Sequence, residues 1–156
     1  MNGPSHPRVA VVGPGEPPAD VRALAEQLGR LLAEAGCDLY CGGLGGVMEA
    51  ACRGAFEAGG LTVGVLPGAD AAEGNPYLRV VVATGMGEAR NLVIVRSAQA
   101  VIAVGKGYGT LSEIAFALRL GKPVVLLHSW EEVAADARVV ASPEEAVRVA
   151  LGAIVP

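Results

Sequence analysis

Residues 101–115 read VIAVGKGYGTLSEIA, an apolar run that enters a glycine-rich turn and then a helical pattern. The run of Val, Ile and Ala predicts a buried strand, because parallel strands covered on both faces are almost continuously apolar. Residues 39–51 read LYCGGLGGVMEAA and repeat the Gly-x-Gly turn, with a Glu four residues after it in both cases. Glycine lets backbone amides approach a ligand, and the following helix presents its positive end there. Both turns are therefore candidate phosphate-binding loops.

The candidate ligand-binding residues are those of the two loops. They are Gly42, Gly43, Gly45 and Gly46 in the first loop, and Lys106, Gly107, Tyr108, Gly109 and Thr110 in the second. In the second loop we expect the amides, the Thr110 hydroxyl and the Lys106 ammonium to anchor the phosphate. We expect Tyr108 either to stack on a base or to pack at a subunit contact. The Walker pattern and the dinucleotide fingerprint are both absent, which argues against an ordinary ATPase or NAD site.

Predicted strands alternate with predicted helices along the chain. The strands are expected at residues 9–12, 39–41, 62–66, 79–83, 101–104, 123–127 and 139–140, and the helices at 19–35, 48–56, 87–98, 111–120 and from Ser142 onward, where a capping box begins. This order predicts a single-domain, doubly wound, Rossmann-like α/β fold, with a mostly parallel sheet and helices on both faces. We assign residues 1–8 to a flexible leader and residues 9–156 to a nucleotide-binding domain, with the ligand at the carboxyl ends of the strands.

Length, composition and charge narrow the functional classes. The chain has 156 residues, 52% of them hydrophobic, which is enough for the core of one domain. No stretch approaches the roughly 20 apolar residues of a membrane span, and the N-terminus lacks the apolar region of a signal peptide, so we predict a cytoplasmic protein. The net charge of −4, with scattered basic residues, predicts no nucleic-acid partner. The three cysteines and two histidines lack metal-ligand spacing, so we predict no metal site.

Two glycine-containing segments carry a family resemblance. Residues 85–91, GMGEARN, followed by residues 105–113, GKGYGTLSE, resemble the cytokinin-activating nucleoside monophosphate phosphoribohydrolases, the "lonely guy" family once labelled lysine decarboxylases. Their hallmark is Pro-Gly-Gly-x-Gly-Thr-x-x-Glu, preceded by an arginine at a helix start. Residues 74–77, GNPY, are similar to a compact bacterial branch of that superfamily, which resembles the molybdenum cofactor carrier proteins.

The resemblance implies roles for Arg90 and Glu113. In a hydrolase Glu113 would match the positive charge that builds on the ribose, and Arg90 would hold the ligand or assist departure of the base. Here Gly105 and Lys106 replace the first two residues of the hallmark, which favours binding over hydrolysis. Our first hypothesis is a carrier or sensor that binds a phosphorylated nucleotide-type ligand or cofactor, such as a nucleotide or the molybdenum cofactor, with no cofactor required. The alternatives are a nucleoside 5′-monophosphate phosphoribohydrolase, which releases free base and ribose 5-phosphate, and a non-binding structural or signalling module.

Both candidate catalytic residues also have purely structural interpretations. Residues 110–113, TLSE, form a capping-box pattern in which Glu113 would reach back to the start of its own helix. Arg90 could face solvent or pair with Glu88. The resemblance further implies a homodimer or homotetramer.

Overall fold

A computed structural model of the chain describes residues 5–154. Residues 1–4 of the predicted leader lie outside the described residues, and Arg8 already belongs to the first strand. The elements in chain order are β1 (Arg8–Val12), α1 (Ala19–Glu34), β2 (Asp38–Cys41), α2 (Val47–Glu57), β3 (Thr62–Leu66), β4 (Val80–Ala83), α3 (Arg90–Ser97), β5 (Ala100–Val104), α4 (Tyr108–Arg119), β6 (Val124–Leu127), β7 (Arg138–Val140) and α5 (Pro143–Ala153). Short 3₁₀ turns cover Ala71–Glu73 and Gly87–Ala89.

The strands form one seven-stranded sheet in the order β4-β3-β2-β1-β5-β6-β7. All of its neighbouring strands run parallel, so the predicted Rossmann-like α/β fold is confirmed and its mostly parallel sheet is parallel throughout. The strand order reverses between β1 and β5, where Val9 pairs with Ala100. In open α/β sheets, ligands bind outside the carboxyl ends of the strands at such a reversal.

Helices cover both faces of the sheet, as predicted. The core of one face gathers α1, α2 and α5, and that of the other gathers α3 and α4. On the first face, a Cβ atom added at Gly29 would lie 1.9 Å from the Ala51 carbonyl oxygen, and one at Gly54 would lie 2.0 Å from the Glu26 carbonyl oxygen. Glycine at these two positions therefore lets α1 and α2 approach backbone to backbone.

Two predicted helix starts differ from the structure. The helix α4 begins at Tyr108, three residues before the predicted start at Leu111, and its N-cap is Gly107. The helix expected over residues 87–98 begins as a 3₁₀ turn, because Gly87 has a φ of +60°, and continues as α3. These shifts bring Arg90 to the first position of α3 and Thr110 into the first turn of α4.

The structure also shows the character of the helices and the position of the cysteines. Among residues 5–154, no helix is long and apolar enough to cross a membrane. All three cysteines are buried, and the Sγ atoms of Cys41 and Cys52 lie 3.3 Å apart. All three belong to the hydrophobic core on the face that α1, α2 and α5 cover.

Candidate functional site

A cavity of about 420 Å³ opens at the carboxyl ends of the central strands, beside the reversal between β1 and β5. It is lined by Gly13–Gly15 after β1, Gly42 after β2, Pro67 after β3, Arg90 at the start of α3, and residues 107–110 with Glu113 on the β5–α4 side. The two predicted catalytic residues and most of the predicted second loop therefore share one cavity.

The first turn of α4 forms one wall of this cavity. Gly105, with a φ of +79°, turns the chain out of β5, and the Gly107 carbonyl oxygen accepts hydrogen bonds from the Leu111 amide at 2.9 Å and the Trp130 indole Nε1 at 3.0 Å. The amides of Tyr108, Gly109 and Thr110 have no hydrogen-bond acceptor within the described part of the chain. Such free amides at the positive end of a helix attract an anion.

The Thr110 hydroxyl lies inside this turn without a partner. The side chain is only 2% exposed, and no acceptor or donor among residues 5–154 reaches its Oγ1. A buried hydroxyl that forms no hydrogen bond costs free energy, so an unpaired one in a cavity wall is well placed for a polar ligand atom. The capping-box interpretation of Thr110 is wrong, because α4 begins before Thr110 and no helix amide bonds to its oxygen.

Arg90 is buried beside the opposite wall, with 8% of its surface exposed. Its Nε donates to the Val65 carbonyl oxygen at 3.0 Å, and its Nη1 donates to the Asn91 side-chain oxygen. A Cβ atom at Gly42 would lie 2.8 Å from both the Arg90 Nη2 and the Met48 Sδ, so a larger residue there would displace these two side chains. The solvent-facing interpretation of Arg90 is wrong, and within residues 5–154 the guanidinium forms no ion pair with Glu88.

A short chain of hydrogen bonds joins Arg90 to the α4 turn. The Asn91 Nδ2 donates to the Ser112 Oγ at 3.1 Å, and the Ser112 hydroxyl donates to the Gly109 carbonyl oxygen at 2.7 Å. Because Asn91 also accepts from Arg90, the guanidinium and the α4 turn are held in one arrangement.

Glu113 brings a carboxyl group to the same cavity. It is 7% exposed, and burial raises its pKa to about 8, with the Arg90 charge opposing the shift. Burial correspondingly lowers the pKa of Arg90, and the Glu113 charge opposes that shift. The Glu113 carboxyl group is therefore mostly protonated at pH 7. Its cap interpretation is also wrong, since Glu113 lies in the second turn of α4 and not at the end of its first.

The first predicted loop contributes less to the cavity. Of its candidate residues, Gly42 lines the cavity, whereas Gly43, Gly45 and Gly46 do not. Gly46 is the N-cap of α2 with a φ of +66°, and the following Val47 amide donates to the Pro14 carbonyl oxygen at 3.0 Å. The first amide of α2 is thus already used by the β1–α1 loop.

Lys106 also lies outside the cavity lining. Its ammonium forms an ion pair with Glu132 and lies 5.6 Å from the ring centroid of Trp130. A phosphate contact by Lys106 stays a prediction.

Sequence reasoning missed several residues that surround the site. Gly13–Gly15 directly follow a predicted strand, and that position alone could have identified them, although they lack the dinucleotide fingerprint. Asn91 ends the segment 85–91 that carries the family resemblance, and that position next to Arg90 could have identified it. Trp130 carries no such signal, because it reaches the site through tertiary packing.

A larger cleft, of about 630 Å³, lies between α1 and α2, away from the strand ends. Charged side chains line it, and two of them, Arg30 and Glu34, pair with each other at 3.2 Å. We place the site at the strand ends, because the described residues leave a buried polar group unpaired there and not in this cleft. No group of three His, Cys, Asp or Glu residues in the described ranges could hold a metal ion.

Comparison with known proteins identifies the family. The sequence model of the SLOG cluster4 family matches residues 6–150. The chain belongs to this family. An uncharacterized protein of Archaeoglobus fulgidus is 46% identical over 140 residues, which cover 90% of this chain and 91% of that protein.

Two solved structures resemble this SLOG cluster4 protein over nearly its whole length. The molybdenum cofactor binding protein of the phototrophic bacterium Rippkaea orientalis is 38% identical with a TM-score of 0.90, and the match covers 98% of this chain and all of that one. The molybdenum cofactor carrier protein of Chlamydomonas reinhardtii is 35% identical with a TM-score of 0.87, covering 96% and 98%. These findings confirm the superfamily that residues 74–77 and the glycine loops indicated.

Proposed function

We propose that this protein binds a phosphorylated nucleotide-type ligand or cofactor, as a carrier or sensor, in the cavity at the ends of β1 and β5. The observation that carries the proposal is the unpaired, buried Thr110 hydroxyl beside the free amides of the α4 turn. Together they offer several donors to one anionic group, and the helix end adds a favourable potential. Residues 9–156 would then act as one nucleotide-binding domain.

The charges inside the cavity are compatible with a phosphate, and the carboxyl group of Glu88 lies exposed at its rim. Arg90 supplies a buried positive charge, and Glu113, with its pKa near 8, is mostly neutral at pH 7 and can itself donate a hydrogen bond. An ionised carboxylate there would repel the phosphate. Burial of Glu113 therefore favours anion binding below pH 8.

The molybdenum cofactor is one ligand that suits this description, since it joins a pterin to a phosphate group. Its binding by the two solved relatives supports this choice. A nucleotide fits the same chemistry, so the proposal covers both, and the cofactor would be cargo rather than a resident catalytic group.

The alternative of nucleoside 5′-monophosphate hydrolysis rests on Arg90 and Glu113, which share the cavity. In that reaction the carboxylate would match the positive charge that develops on the ribose, so it must be ionised. Because burial keeps Glu113 mostly protonated at neutral pH, we rank hydrolysis below binding.

We extend the proposal to a homodimer or homotetramer with a cytoplasmic location. The edge strand β4 exposes Val80 and Val82, each at 43%, and such apolar surface suits contact between copies. A mass near 15.7 kDa by light scattering would contradict the oligomer.

The test is mass spectrometry of small molecules released from the purified protein, combined with incubation of the protein with AMP. We expect a retained phosphorylated compound and no free adenine. Thr110→Val should lose the compound, whereas Ser142→Ala, a hydroxyl deletion at the distant cap of α5, should keep it. Release of adenine that disappears in Glu113→Gln would instead establish the hydrolase. If the protein retains no phosphorylated compound and does not bind AMP, both functions are refuted.

A further inference from the structure

An exposed aromatic ring stands at the mouth of the candidate site. Tyr108 lines the cavity, yet 85% of its surface is exposed, the highest value among the exposed large hydrophobic residues between 5 and 154. It lies two residues from Thr110, which is 2% exposed. The α4 turn therefore offers a buried polar end and an open aromatic end to the same ligand.

The Tyr108 ring is supported from one side by Trp130. The two ring centroids are 6.1 Å apart, and the ring planes are inclined by 26°, which is a stacked arrangement. Trp130, the only tryptophan of the chain, is fixed in turn by the hydrogen bond from its Nε1 to the Gly107 carbonyl oxygen. The indole thus connects the segment after β6 to the residue that caps α4.

Two further features concern the segment after β6 that carries Trp130. Lys106 lies near the Trp130 ring and forms an ion pair with Glu132, so residues 130–132 contact residues 106–108 at several points. His128 is the one non-glycine residue between 5 and 154 with a positive φ, at +53°. It makes the turn that leads the chain from β6 toward Trp130. A positive φ is uncommon for a non-glycine residue, although His adopts it more often than most.

We propose that Tyr108, backed by Trp130, is a stacking subsite for a planar nitrogen-containing ring of the phosphorylated ligand, either a nucleobase or the pyrimidine ring of a pterin. This inference rests on the proposed function, since it gives the ring of that ligand a place. A ring that is ordered before binding loses little conformational freedom when a ligand stacks on it. Aromatic side chains that present a free face also bind bases of different sequence or type, because every base has a π-face.

The two ends of the turn bind different parts of the ligand. Thr110 and the α4 amides bind the phosphate, and Tyr108 stacks on the ring. The subsite therefore predicts a preference for ligands that carry both groups over ligands that carry only a sugar phosphate.

The experiment measures binding by calorimetry with three probes: AMP, a pterin monophosphate and ribose 5-phosphate. The variants are Tyr108→Ala and Trp130→Phe, with Phe116→Ala as the matched control, because Phe116 is an exposed aromatic residue on the same helix outside the cavity lining. Tyr108→Ala should weaken at least one ring-bearing probe by roughly 5- to 100-fold. It should leave the affinity for ribose 5-phosphate unchanged, and the control should change neither.

Trp130 supplies an independent readout. Because it is the sole tryptophan, its fluorescence should change when a ring-bearing probe binds and stay constant with ribose 5-phosphate. Trp130→Phe keeps a ring behind Tyr108 but removes the N–H that reaches Gly107, so it should weaken the ring-bearing probe in the calorimetric assay.

The outcomes separate the two proposals. The ring-bearing probe that responds to Tyr108→Ala identifies the base or the pterin as the ligand class. If the substitution weakens ribose 5-phosphate as much as the ring-bearing probes, or if it weakens none of them, the stacking subsite is wrong while phosphate binding stands. If the wild-type protein binds none of the three probes, the proposed function fails and the subsite fails with it.

Discussion

Glu113→Gln tests the electrostatic basis of the site most directly. The substitution keeps the size of the side chain and removes its titration. In the native protein, burial raises the pKa of Glu113 from its ordinary 4.5 to about 8. Between these two pH values the native state holds a proton that the unfolded chain has already lost. The native protein is therefore destabilised progressively as the pH rises through this window, and the loss is complete above the native pKa.

The magnitude follows from the width of that window. Each pKa unit corresponds to about 1.4 kcal/mol, so the variant should gain about 1.4 kcal/mol over the wild type for each pH unit between about pH 5 and 8. From pH 6 to pH 8 the relative gain is about 2.3 kcal/mol, because Glu113 is only half ionised when the pH equals its native pKa. This corresponds to roughly 5 to 9 °C in melting temperature for a domain of this size.

Thermal and urea unfolding of both proteins at pH 6, 7, 8 and 9 would measure this difference. Glu88→Gln is the matched control, because it removes an exposed carboxyl group from the rim of the same cavity. A difference between Glu113→Gln and the wild type that is independent of pH would refute the buried, protonated carboxyl.

Ligand measurements in the same pH series separate binding from hydrolysis. If the protein is a carrier, its affinity for AMP should fall as Glu113 ionises near pH 8, and Glu113→Gln should abolish that fall. If it is a hydrolase that needs the carboxylate, release of adenine should instead rise through the same pH.

Three further substitutions or treatments have defined outcomes. Thr110→Val removes an unpaired buried hydroxyl, so the free energy of unfolding should rise by about 1 kcal/mol while AMP affinity falls roughly ten-fold by calorimetry. Gly42→Ala forces a Cβ against Arg90 and should cost about 1 to 3 kcal/mol in urea unfolding. Its control is Gly109→Ala, where open space surrounds the new methyl group. The free energy of unfolding of this variant should stay the same or rise by up to about 1 kcal/mol. The cysteines should be inert to a thiol reagent at pH 8 until urea is added, because burial raises the pKa of Cys37 to about 11, and a hydrogen bond with Cys41 and burial raise that of Cys52. Labelling of the folded protein would contradict this.

The fold was largely predictable because its determinants are local. The apolar runs that form β1, β3 and β5 are short, and each is followed directly by glycine or proline. The strand-helix alternation leaves few other arrangements. The same rule, that ligands meet the carboxyl ends of parallel strands, located the cavity before any contact was known.

The start of α4 was not predictable from propensity. Gly107 and Gly109 are residues that weaken helices, and the pattern from Thr110 to Glu113 is a good capping box, so a later start was the natural expectation. The structure instead uses Gly107 as an N-cap without any side-chain bond, and Trp130 holds the Gly107 carbonyl oxygen. That contact comes from a segment after β6 that carries no periodic signal.

The structural difference between the two matching loops could not be predicted from the sequence either. Both have the same glycine spacing, but the first amide of α2, that of Val47, donates to the Pro14 carbonyl oxygen, whereas the first amide of α4, that of Tyr108, stays free. The difference depends on where the β1–α1 loop packs, and only the assembled sheet determines that.

The pairing of Val9 with Ala100 at the centre of the sheet has a consequence for folding. Every residue of β2, β3 and β4 lies between these two partners in the chain, so joining β1 to β5 closes the longest loop among the strand pairings. Contacts so distant in sequence slow folding. The cavity is lined by residues that follow β1 and by residues that follow β5, so it is complete only after these two strands have paired. It should therefore form late in folding. A chain emerging from the ribosome would have to present most of its length before this cavity could form, so a ligand bound there would show that folding is finished.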